Sequence, residues 1–192
     1  MWVRSAFPRS ALAFLSGALV VSVCAAPAAA QSAPAGVRGE LIGDITQLEA
    51  KYVGLAGAMG EHLGWRPGDG VRSASEAMMH VAAANYMIAS IAGVPMPAGL
   101  PGGGDMRAMG SAMEAITDAG EVAAALQRSF EHARSAIAGT SDADLEGVVT
   151  LFGRETTRRA TLTLMVSHMH EHLGQLIAYA RTNGITPPWS GE

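Results

Sequence analysis

Apolar positions recur three and four apart over most of the chain. From Glu40 to about Gly60, Leu41, Ile45, Leu48, Tyr52, Leu55 and Met59 fall on one stripe, the signature of an amphipathic helix. The stretch GWRPGDGVRS then interrupts the pattern, because Pro67 and its neighbouring glycines cannot continue a helix. Ser73 or Ser75 can cap the next helix, and Glu76, three residues after Ser73, completes a capping-box pattern. That second helix runs to about Ala92. GVPMPAGLPGGGD, with three prolines and five glycines, reads as a loop. Asp105 can cap a short helix, and a third long helix spans about Asp118 to Ile137. Ser141 to Leu145 lead into a turn around Phe152-Gly153. A last long helix begins near Glu155 and stops at Asn183-Gly184, before Pro187-Pro188.

Four long helices with so little strand signal predict an all-α fold, an antiparallel-type four-helix bundle able to hold a metal or cofactor between facing helices. Only GVVTLF (147–152) carries a few β-branched residues, and it is too isolated to predict a sheet. No repeat of 20–50 residues is visible.

The first thirty residues depart from this pattern. Arg4 and Arg9 precede an apolar run, and Pro27 with Ala28-Ala29-Ala30 supplies a small-residue cleavage pattern before Gln31. That combination predicts a signal peptide over residues 1–30 and a periplasmic or secreted protein. A linker over 31–37 and one domain over 38–192 follow. Without Arg4 and Arg9, eleven basic residues face seventeen acids, a balance of −6. This speaks against a nucleic-acid partner. The single cysteine, Cys24, leaves with the signal, so the mature chain has no disulfide, thiolate nucleophile or cysteine ligand. No later stretch is long and apolar enough for stable membrane insertion.

The candidate chemistry lies in the histidines. SHMHEHLGQ (167–175) holds three of the six. On a helix, His168 and His172 share a face, while His170 lies about 200° round from His168 at roughly 100° per residue. His80 sits midway along the second helix, with Glu76 a turn before it and Ala83 and Ala84 a turn after. If these helices are neighbours, His80, His168 and His172 can converge on one cation, leaving a position open for water or substrate. Glu76 is the candidate catalytic carboxylate, as base, ligand or orienting group, beside the plainer reading of the same residue as a helix cap alone. Zinc fits three imidazoles best; nickel, iron and manganese also accept them. His62 and His132 are expected to face solvent, and the eleven methionines are scattered as core fillers. A ferritin-like di-metal centre would need Glu-x-x-His pairs on two helices, and none is present.

WRPGDGVRSASEAMMHVAAANY, followed much later by HMHEHLGQLIAYARTNGITPPWS, resembles the DinB-like (damage-inducible, YfiT-like) superfamily over about residues 38–190. The resemblance implies a four-helix bundle with one metal held by a histidine of the second helix and two of the last. Those roles fall on His80, His168 and His172. It further implies frequent homodimers and, in several members, thiol-dependent transferase or isomerase activity. Two functions follow as expectations: a metal-dependent transferase or hydrolase acting on a small molecule, or a non-catalytic metal-binding, stress-associated module.

Overall fold

A computed structural model describes residues 36–191; the expected signal peptide and nearly all of the expected linker lie outside the described residues. The chain forms α1 (Val37–Met59), a 3-10 turn (Gly60–Gly64), α2 (Ala74–Ile91), α3 (Met106–Glu114) and α4 (Ala119–Gly139). After these come the single turn α5 (Asp142–Leu145), β1 (Val148–Leu151), β2 (Arg154–Thr157) and α6 (Arg158–Thr182).

The helix starts follow the capping chemistry. Ser73 Oγ accepts from Glu76 N at 3.2 Å while Glu76 Oε2 accepts from Ser73 N at 2.7 Å. This reciprocal box satisfies two backbone donors that would otherwise lack partners. Asp105 and Asp118 cap α3 and α4 without such a box, each carboxylate accepting from two backbone amides. α6 starts at Arg158 rather than Glu155, because Arg154 to Thr157 are drawn into a strand and Thr157 becomes the cap.

That strand corrects one expectation. GVVTLF does pair: Val148–Leu151 lies antiparallel to Arg154–Thr157, with Val148 opposite Thr157 and Leu151 opposite Arg154. Phe152 and Gly153 make the two-residue tip with φ of 48° and 80°, the left-handed pair that matches strand twist. The result is a mostly helical domain carrying one small two-stranded sheet.

The long helices pack as neighbours in the cyclic order α1–α4–α2–α6, with α3 lying on α2. Thirteen of the eighteen residues of α2 are buried, as expected of a helix touching three others. The α1–α4 seam is filled by Ile45, Leu48, Tyr52, Leu126 and Phe130, all at most 1% exposed. The Tyr52 and Phe130 rings meet at 5.3 Å. The Tyr52 hydroxyl crosses to α6 and donates to the Met169 carbonyl at 2.7 Å. Arg158 clamps the far end, donating to the Ala92 carbonyl at the end of α2 (2.6 Å) and to Asp144 O of α5 (3.0 Å).

Candidate metal centre

α2 presents His80, and α6 presents His168 and His172 one turn apart. Because α2 and α6 are packed neighbours, the three rings meet between them. His168 Nε2 lies 3.2 Å from His80 Nε2 and 3.2 Å from His172 Nε2. One nitrogen from each ring falls within 4.8 Å of the other two, and no carboxylate or thiol among the described residues joins the group.

Proton bookkeeping shows why this fits a cation. A neutral imidazole carries one N–H and one lone pair. His172 Nδ1 faces Gln175 Oε1 at 2.8 Å, and the Gln175 amide nitrogen donates to the Tyr179 hydroxyl at 2.7 Å. The His172 proton therefore sits on Nδ1, and its Nε2 offers a lone pair. His80 Nδ1 stands 3.6 Å from Glu114 Oε1, beyond hydrogen-bond reach, so no bond of this kind fixes which of its nitrogens carries the proton. His168 can supply one proton to one neighbour, never to both. A shared cation takes all three lone pairs at once. Two imidazoles bound at about 2.0–2.1 Å in a tetrahedral site stand roughly 3.3–3.4 Å apart, close to the separation seen.

Electrostatics favours the ligating form. Burial lowers the His80 pKa to about 4, helped by the charges of Arg72, His168 and His172. Burial also brings His168 to about 4, with His172 and Arg72 assisting and Glu171 opposing. Both rings are neutral at neutral pH, as metal ligation requires. His168 Nδ1 is buried without a hydrogen-bond partner among the described residues.

Glu76 stands elsewhere. Its Oε2 closes the cap on Ser73, its Oε1 accepts from Arg66 Nη2 at 3.0 Å, and it lies outside the cluster. The Ser73 amide, followed by Arg66, holds its carboxyl below the usual range against the opposing effect of burial. The carboxylate beside a ring of the cluster is instead Glu114 of α3, 3.6 Å from His80 Nδ1 and held by Arg72 Nε at 2.9 Å. Glu114 lies 34 positions after His80 on another helix, so no local spacing marks it. Gln175 was visible as the third residue after His172, one helical turn on.

His170 faces away and meets Asp44 Oδ2 at 3.0 Å, with half of its side chain exposed. His132 departs from its expected solvent-facing place. It is half-buried against Tyr86, ring centres 5.1 Å apart, and its Nε2 is buried without a partner among the described residues. His62 is also half-buried.

Fold and cluster together define a helical domain with a three-imidazole centre able to hold a metal. Two solved structures share the fold. One is a DinB-like protein from Bacillus cereus, with 20% identity and a TM-score of 0.63, covering 79% of this chain and 95% of that one. The other is a DinB-like protein from Bacillus subtilis, with 21% identity and a TM-score of 0.57, covering 77% and 93%. No curated protein matches significantly. The model of the DinB superfamily matches residues 29–176, and the chain belongs to that superfamily.

Proposed function

We propose that this is an exported metalloprotein of four-helix-bundle type that binds one divalent cation at His80, His168 and His172 and uses it on a small-molecule substrate, as a transferase or hydrolase. The carrying observation is the convergence of three Nε2 atoms, that of His172 turned inward as a lone pair by Gln175 on its other nitrogen. Zinc suits three neutral imidazoles, with nickel, iron or manganese as alternatives. Bound there, the ion supplies Lewis acidity at the position that three protein ligands leave open.

The chain's own residues supply the rest. Gln175, anchored on Tyr179, fixes the tautomer of His172, and Glu114 places a carboxylate 3.6 Å from His80 Nδ1. Glu76 contributes by setting the first turn of α2, on which His80 rides. A purely structural metal usually takes four protein ligands; the three-membered cluster favours chemistry over stapling.

Metal analysis of zinc-reconstituted protein tests the centre. About one zinc per chain is expected for the wild type and for His170→Ala, and a strong loss for His172→Ala. Equal loss from both variants, or no zinc in the wild type, sinks the reading. Export rests on Arg4, Arg9, the apolar run and the Ala28–Ala30 pattern. It requires an intact mass of exported protein that begins at Gln31; an uncleaved chain in the cytoplasm would overturn it.

A further inference from the structure

A cleft of about 270 Å³ opens between α2 and α3, and His80 forms part of its wall. That volume lies below the ~300–1,000 Å³ of sites for drug-sized ligands, so an occupant is small. Its charged lining is Arg72, Arg107 and Glu114, a local balance of +1 in a chain whose formal net charge is −4. The two arginines differ. Arg72 is committed to Glu114 at 2.9 Å, whereas Arg107 pairs with no carboxylate among the described residues. Glu114 is also taken, by Arg72 and beside His80, so the cleft keeps no free acid for a cationic guest.

The remaining surface is soft and apolar. Met106 and Met109 of α3 line it together with Met87 and the small side chains of Ala83 and Ala84 on α2. Met106 is 41% exposed, a large apolar side chain left at the rim. Flexible, polarisable thioethers adapt to a guest's shape. Cleft and cluster are also electrically joined: the charge of Arg72 bears on both His80 and His168. Three neutral imidazoles offset none of a cation's charge, so a loaded centre makes the cleft more positive still.

We propose that the α2–α3 cleft is the substrate subsite of the histidine centre and takes a small carboxylate with an apolar body. Its head is held by Arg107 and its body lies on Met87, Met106 and Met109. Arg107 thereby sets specificity, since a planar guanidinium matches a carboxylate in two parallel hydrogen bonds. The substrate role rests on the histidine cluster being the reactive centre; the binding chemistry of the cleft does not.

Calorimetric titration with hexanoate, on zinc-free and zinc-loaded full-length protein, separates the two. Hexanoate should bind both forms, hexanamide about tenfold more weakly, and Arg107→Gln should weaken hexanoate by about tenfold. Arg107 is exposed, so this variant is expected to fold and to keep its zinc stoichiometry. Met106→Ser should weaken hexanoate and leave acetate unchanged. Equal affinity for hexanoate and hexanamide, or indifference to Arg107→Gln, overturns the proposal. Binding only to the zinc-loaded form, unaffected by Arg107→Gln, would put the carboxylate on the metal and not in the cleft. Hexanoate binding through Arg107 in a protein that cannot be loaded with zinc would defeat the metal reading and the substrate role, leaving only an anion site.

Discussion

The α1–α4 seam and the α2–α6 seam are opposite sides of one ring of helices, and they solve different problems. In the first, Tyr52 and Phe130 lie at 0% exposure among leucine and isoleucine, and surface removed from water stabilises at about 25 cal/mol per Å². In the second, alanines and methionines of α2 make room for three half-buried imidazoles. Burying polar rings whose nitrogens cannot all be satisfied costs stability. The fold places stability on one side and tolerates incompletely satisfied polar rings on the other, which is the arrangement expected of a functional site.

The largest effect that tests this division should come from Phe130→Ala. It removes a fully buried ring 5.3 Å from that of Tyr52, and should cost about 3–5 kcal/mol in chemical denaturation. Zinc affinity measured below the melting transition should stay unchanged. A matching loss of zinc affinity would show that the two seams are coupled.

Gln175→Leu should do the converse. Loss of the acceptor on His172 Nδ1 should weaken zinc binding about 10–100-fold in a chelator competition, while the metal-free protein melts nearly as before. A variant with wild-type affinity would remove Gln175 from the centre.

The smallest effect is the pH response of the metal-free protein. His80 and His168 titrate near 4 when folded and near 6.5 when unfolded. Between those values the unfolded chain binds more protons, so stability falls as pH drops from about 6.5 and levels off, for these two groups, below about 4. Partial exposure of the rings screens the slope. His80→Ala should flatten it in denaturation curves recorded across that range, and an unchanged slope would assign the titration to other groups.

Helices and caps were legible because their causes are local. Ser73 with Glu76, Asp105 and Asp118 mark helix starts within three residues of the amides they satisfy. His168 and His172 shared a face by spacing alone, and the same phase turns His170 away from them, while its partner Asp44, 126 positions earlier on α1, was not legible. The hairpin was not legible. Each strand has only four residues, and the partner of Val148–Leu151 includes charged Arg154 and Glu155, so neither shows a period on its own. Glu114 and Arg107 escaped because they arrive on α3 through a glycine-rich loop whose path no neighbouring residue dictates. The polar neighbours of His132 suggested solvent, yet the ring of Tyr86 from another helix covers it.

The bond from Tyr52 to the Met169 carbonyl has a mechanical meaning. Met169 stands between His168 and His170, so the hydroxyl grips α6 beside a ring that must be aimed. A helix about 10–12 Å across that rolls by about 20° sweeps its outer atoms by roughly 2 Å. Such a roll would carry His168 and His172 together away from His80, whose Nε2 now sits 3.2 Å from that of His168. Burial pushes the Tyr52 hydroxyl's pKa upward, so it remains a donor throughout the ordinary pH range. One phenol in the apolar half of the domain thus acts as an index pin, locking the rotation of the helix that carries two of the three rings.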